Sequence, residues 1–95
     1  MNKLDRIKSR IKPILIKNNV SRLSIFGSFA RGEEKKNSDI DMLVKFTGQK
    51  SLMDLMDLKF DLEKELKIDV DIATYDSINP LLEKIIKKDE IKIYG

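Results

Sequence analysis

The sequence contains no cysteine and no histidine. Those absences remove disulfide frameworks, thiol nucleophiles, zinc-finger spacings, Ser-His-Asp triads and imidazole acid-base catalysis together. Any chemistry has to run on carboxylates, hydroxyls, lysines, arginines and metal ions. Long apolar runs are missing too. Hydrophobic stretches last only a few residues before a charge interrupts them, so neither a transmembrane helix nor a secretory segment can be drawn. The cytoplasm is the expected address. With 95 residues there is room for a single domain over 1–95 and none for a separate substrate-binding domain. A content of 41% apolar and 37% charged residues lies above the disordered range, yet so small a core is often steadied by a partner.

Nineteen Lys and Arg against sixteen Asp and Glu leave a net charge of +3, a mild excess that does not by itself mark a nucleic-acid binder. The basic residues crowd the first seventeen positions (Lys3, Arg6, Lys8, Arg10, Lys12, Lys17) and the stretch 84–92. Solvated helix faces and chain ends account for them better than a dedicated patch, so nucleic acid is not the favoured partner.

Leu4, Ile7, Ile11 and Ile14 or Leu15 recur at helical spacing, predicting an N-terminal helix that Pro13 kinks or closes early. A turn over 17–19 leads to a short strand over 22–26, which Gly27-Ser28 ends. A short helix begins at 29–31, and 32–38 is a polar loop. Ile40, Met42 and Val44 alternate with Asp39, Asp41 and Leu43 in a second strand, so both aspartates project from one face at its beginning. Ser51 with Asp54 has the form of a capping box for a helix carrying Leu52, Leu55, Met56, Leu58, Leu62 and Leu66. Ile68, Val70 and Ile72 alternate with Asp69, Asp71 and Ala73 in a third strand ending near Thr74. Asn79 as N-cap and Pro80 at the first helical position open a last helix with Leu81, Leu82, Ile85 and Ile86 inward, and 91–94 form a small final strand. This order gives an α/β layer structure.

The chemistry concentrates between Phe26 and Asp41. Gly27 lets the backbone approach a phosphate, Ser28 offers a hydroxyl and an amide N–H, and a helix starting there aims its positive end at them. Asp39 and Asp41 set two carboxylates about 7 Å apart on one face, near enough to bracket two magnesium ions about 4 Å apart. A third carboxylate from a neighbouring strand would complete the cage. Each piece taken alone has an ordinary structural reading. Gly-Ser after a strand is a turn, and paired aspartates are caps or solvated edge residues. Arg31 either contacts phosphate or braces the loop against Asp or Glu, and Asp69 and Asp71 are the wet face of an edge strand.

The Gly-Ser-x-Ala-Arg-Gly stretch from Gly27, ten residues between Ser28 and Asp39, the Ser-Asp-x-Asp strand, and Val70-Asp71-Ile72-Ala73-Thr74 followed by Asn79-Pro80 resemble the polymerase-beta-like nucleotidyltransferases. The closest likeness is to their smallest branch, the minimal nucleotidyltransferases, which include protein-adenylylating antitoxins paired with HEPN toxins. The resemblance covers nearly the whole chain. It implies a small mixed sheet with flanking helices (α+β in some schemes), the first two strands antiparallel and the third beside the second. It also implies ATP as substrate and two Mg2+ ions, both held by Asp39 and Asp41, with Asp71 on the ion beside the acceptor hydroxyl. One ion would lower the hydroxyl's pKa and the other would neutralise the leaving pyrophosphate. Gly27, Ser28 and Arg31 would meet the nucleotide. Asp71 is chosen over Asp69 because it brings Thr74 and Asn79-Pro80 into the family's pattern, leaving Asp69 solvent-facing or paired with a lysine such as Lys67 or Lys45. The expected reaction is AMP transfer to a protein hydroxyl, foremost a tyrosine of a cognate HEPN toxin. Behind it stand the catalytic subunit of a two-protein transferase acting on a small molecule or an RNA end, and a non-catalytic toxin-binding module.

Overall fold

The computed structural model describes residues 3–35 and 38–95. The chain runs α1 (Lys3–Lys17), β1 (Val20–Phe26), α2 (Ser28–Arg31), β2 (Ile40–Phe46), α3 (Leu52–Leu66), β3 (Val70–Thr74), a 3-10 turn (Tyr75–Ser77), α4 (Pro80–Asp89) and β4 (Ile91–Tyr94). The loop expected over 32–38 contains Lys36 and Asn37, which lie outside the described residues.

Ile7, Ile11 and Leu15 fall on one stripe of α1 and are buried. Pro13 neither closes this helix nor shortens it, contrary to the sequence expectation, since α1 continues to Lys17. An interior proline costs about 3 kcal/mol, whereas burying Ile11 and Leu15, both 0% exposed, returns about 1.5–3 kcal/mol each. Pro13 itself lies on the exposed side, where water can serve the carbonyl that loses its amide partner. The helix ends at Asn18, whose Nδ2 donates to the Ile14 carbonyl at 2.8 Å, and Asn19 takes a left-handed conformation (φ 58°) that turns the chain into β1.

The four strands form one sheet in the order β3-β2-β1-β4. The β1/β2 and β1/β4 pairs are antiparallel, and β2/β3 is parallel with α3 as its crossover. Leu23, Ile25, Ile40, Met42, Val44 and Val70 pack with α1 and α3 residues Ile11, Leu15, Leu58 and Leu62 into one core. The alternate positions, Ser24, Asp41 and Leu43, fall on the opposite face, outside that core. The expected capping box is present: the Asp54 amide donates to Ser51 Oγ, and the Ser51 amide donates to Asp54 Oδ2. Of the apolar residues on α3, however, Leu52 and Met56 are exposed, because only the stripe ending in Leu58, Leu62 and Leu66 meets the sheet.

Helix α4 starts as expected, with Asn79 Oδ1 accepting from the Leu81 amide and Pro80 in the first turn. Its inward face is a correction. Only Ile86 is buried, while Leu81, Leu82 and Ile85 are 75%, 51% and 65% exposed. Leu81 and Ile85 share a stripe rotated about 100° from that of Leu82 and Ile86, and the helix touches the sheet only along the second.

The 3-10 turn carries a polar latch that periodicity did not disclose. Tyr75 Oη donates to Glu90 Oε2 at 2.5 Å and accepts from Ser24 Oγ at 2.6 Å, and the Arg22 guanidinium lies 5.0 Å from the Tyr75 ring centroid. It joins β1, the end of β3 and the α4–β4 junction, and gives the fully buried Ser24 its partner. No helix among the described residues is long and apolar enough to cross a membrane.

Leu62→Ala is expected to cost about 2–5 kcal/mol, because Leu62 is 0% exposed. Phe60→Ala, two residues away but 65% exposed, should stay within about 0.5 kcal/mol. Denaturant titration of both variants would check the assignment of the inward face of α3.

Candidate active site

The site is built where β1 ends. Gly27 has φ 73° and ψ −150°, a region open almost only to glycine, and a Cβ placed there would collide with Oδ2 of Asp41. Gly27 therefore serves two purposes: it makes the turn and it leaves room for a carboxylate against the backbone. Ser28 follows at the start of α2, and buried Phe29 anchors that helix from below. With four residues, α2 offers the free amides of a first turn but too few aligned peptides for a sizeable dipole, so the helix-dipole contribution expected from sequence is small. Gly32 closes the turn in a left-handed conformation.

Asp39 stands just before β2 and is exposed, buried Ile40 separates it from Asp41, and Asp41 is half-buried. In the parallel register of β2 and β3, Asp41 lies opposite Asp71, which is exposed. Three of the site residues expected from sequence are thus brought within electrostatic range. The Asp41 carboxyl titrates above the usual carboxylate range, first because burial disfavours its charge, then because of the negative charges of Asp71 and Asp39, with Arg31 opposing. No three acidic, His or Cys side chains among the described residues close into a ready cation cage, so the aspartates form an open array.

Arg31 makes the bracing contacts that its sequence reading allows. Its Nε donates to Glu33 Oε2 at 3.0 Å and its Nη1 to Asp89 Oδ2 at 2.7 Å, tying α2 to the end of α4. Those two hydrogen bonds hold its pKa above the ordinary guanidinium value. Asp69 is exposed, its main-chain carbonyl accepts from the Ile40 amide at 2.9 Å, and its side chain pairs with neither Lys45 nor Lys67.

Asp41 and Asp71 open onto a cleft of about 430 Å³ whose floor is apolar (Phe26, Leu43, Ile86) and whose far wall includes Asn79 and Leu82. A larger groove of about 850 Å³ runs beside the start of α3, lined by Lys45, Phe46, Lys50 and Thr74, but it holds none of Asp39, Asp41 and Asp71. The smaller cleft is therefore the candidate site. Its apolar floor was missed in the sequence, although the strand period contains a signal for it. Phe26 alternates out of the core at the position paired with Asp41.

Residues 9–95 match the family described as polymerase beta, nucleotidyltransferase, and the chain belongs to that family. It is 50% identical over 90 residues to a Methanocaldococcus jannaschii protein named as a candidate protein adenylyltransferase, covering 95% of this chain and 97% of that one. Among solved structures, it is similar to a candidate minimal nucleotidyltransferase (TM-score 0.79, 31% identity, 95% of each chain covered). It also shares the fold of a chain in a complex of the tri-AMPylated Shewanella oneidensis HEPN toxin with an MNT antitoxin. That match has a TM-score of 0.74 at 20% identity and covers 97% of this chain and 72% of the other.

The raised Asp41 pKa has a measurable sign. The folded state binds this proton more tightly than the unfolded chain, whose carboxyl titrates near its ordinary value of about 3.9. The resulting stabilisation is complete below that value and is lost as pH rises through the folded-state pKa. At neutral pH the Asp41 charge therefore opposes folding. Asp41→Asn should melt above the parent near pH 7 in EDTA, with the gap narrowing toward about pH 4. A variant that melts lower at neutral pH would contradict the like-charge reading.

Proposed function

We propose that this chain transfers AMP from ATP to a protein hydroxyl, the acceptor being a tyrosine of a cognate HEPN toxin, and so acts as the antitoxin of that pair. The observation that carries the proposal is the Gly27 turn packed against Asp41, with Asp71 opposite it, in a nucleotidyltransferase-family chain. The acceptor class follows the adenylyltransferase name of the 50%-identical relative and the tri-AMPylated toxin in the complex of like fold. The compartment is the cytoplasm, where ATP is at hand.

In the transfer, the acceptor hydroxyl gives up its proton to solvent, its oxygen forms a bond to the α-phosphorus of ATP, the bond from that phosphorus to the β-phosphate oxygen breaks, and pyrophosphate leaves. The donor set suits magnesium: Asp39, Asp41 and Asp71 offer only hard carboxylate oxygens, and burial together with the charges of Asp71 and Asp39 raises Asp41, a strain on its ionised form that a cation among them relieves. Asp39 and Asp41 would hold two ions and Asp71 the one on the acceptor side. When bound, the metal supplies neutralisation of triphosphate charge and acidifies the acceptor hydroxyl. The chain's own share is positional. Gly27 leaves space for the phosphates, Ser28 presents a hydroxyl and an amide to them, and Arg31 keeps α2 fixed to α4. The intact glycine-carboxylate packing is also what weighs against a vestigial, purely toxin-binding module.

Calorimetry should detect ATP binding with magnesium and little in EDTA, and equal binding in both would count against the aspartate array as the metal site. Co-expressed with its HEPN partner and given ATP and magnesium, the protein should raise the partner's mass in AMP steps. Asp71→Ala should reduce this transfer by about 100-fold or more, and Asp69→Ala by less than about threefold. The reverse order would mean that β3 presents a different carboxylate to the reaction.

A further inference from the structure

The face of α4 that the sheet leaves uncovered runs continuously into the catalytic cleft. Leu82 lines the cleft beside Asp41 and Asp71. Leu81 and Ile85, four apart and 75% and 65% exposed, carry the apolar surface from there over the outer side of the helix. Single exposed apolar residues are ordinary, but Leu81, Leu82 and Ile85 together on one short helix at the mouth of a reaction cleft form a patch of the kind that proteins dock on.

The charges on the helix indicate what fits there. Glu83 is paired with Lys87 at 3.2 Å and Asp89 with Arg31, which leaves Lys84 and Lys88 without an ion pair among the described residues. Both lie on the stripe of Leu81 and Ile85 at helical spacing, so an apolar strip is edged by unpaired positive charge. A complementary surface is an apolar helix face bordered by carboxylates.

A second exposed apolar stripe runs along α3 through Met53 and Phe60. That helix covers the opposite face of the sheet from Asp41. A partner seated there would be separated from the carboxylates by the sheet and a helix layer about 10 Å thick. Among the described residues, α4 is the element that joins an apolar seat to the cleft.

We propose that α4 is the docking helix for the protein acceptor. Leu81, Leu82 and Ile85 seat an apolar helix face of the acceptor, Lys84 and Lys88 meet its acidic border, and the acceptor hydroxyl is thereby delivered to the cleft mouth at Asp71. This assignment rests on the reading of the chain as a protein adenylyltransferase and adds the surface that selects its substrate.

The test uses the full chain and the co-expressed HEPN partner. Two double variants, Leu81→Glu/Ile85→Glu and Met53→Glu/Phe60→Glu, change exposed positions only, and melting curves establish that each is folded. The first should bind the partner about 100-fold more weakly, while its magnesium-dependent ATP binding stays within about twofold of the parent. Its transfer rate should recover at high partner concentration, a rise in KM without a matching fall in kcat. Lys84→Glu/Lys88→Glu should weaken association by about 10-fold at low salt and less at high salt. The α3 variant should bind and transfer as the parent does. Parental affinity in the first variant, or loss of the partner in the α3 variant instead, would overturn the proposal. A parent that bound the partner without modifying it would count against the transferase reading alone, and the affinity comparison would still decide the docking surface.

Discussion

Everything at the site depends on the parallel register of β2 against β3, which sets Asp41 directly opposite Asp71. Two like charges side by side repel, and the fold has to hold that pairing by other contacts. It does so on both flanks. The Ile40 amide is bound by the Asp69 carbonyl, and the Val70 amide donates to Glu63 Oε2 at 2.9 Å, so α3 fixes where β3 begins. Buried Ile40, Met42 and Val70 then lock the pleat, since a slip of one residue would exchange the core face for the carboxylate face. The Asp41 pKa is raised first by burial and then by Asp71, so part of the rise records the cost of this pairing at neutral pH.

The two faces of the sheet consequently divide the work. Beneath α1 and α3 lie aliphatic side chains, Met42 and Phe29, all buried, which supply the stability of a small domain. On the other face are Asp41, Asp71, the cleft and the sparsely packed α4. Burying so much of the apolar content on one side leaves α4 attached through Ile86, the Arg31–Asp89 pair and the latch at Glu90. The helix that frames the cleft is held by a few specific contacts, and its remaining apolar surface is open to a partner.

Much of this was legible in the sequence because the relevant signals are local. The Ser51/Asp54 capping box, the Asn79-Pro80 helix start, and the alternation around Asp39, Asp41 and Asp71 all depend on neighbours a few positions away. What was not legible depends on contacts between distant segments. Local propensity allows Pro13 either to kink α1 or to close it early, and the helix runs on to Lys17 because Ile11 and Leu15 are held by residues far along the chain. Leu81 and Ile85 were read as inward because apolar residues usually are, and only the position of α4 on the sheet shows that a single stripe has a surface to meet. The brace from Arg31 reaches Asp89, 58 residues on, a separation that no local pattern reports. The Tyr75 latch could not be foreseen from spacing at all.

That latch bears on a problem peculiar to an enzyme whose substrates are hydroxyl groups: it has to spare its own. Tyr75 sits two residues before Ser77, which lines the cleft. Its phenolic proton is committed to Glu90, a lone pair is engaged by Ser24, and burial, reinforced by the Glu90 bond, lifts its pKa further from neutrality. Ser77 is engaged as well, with Oγ donating to the Thr74 carbonyl at 3.0 Å. Two hydroxyls close to the cleft in the chain are therefore already hydrogen-bonded, a built-in immunity that discourages the catalyst from modifying them.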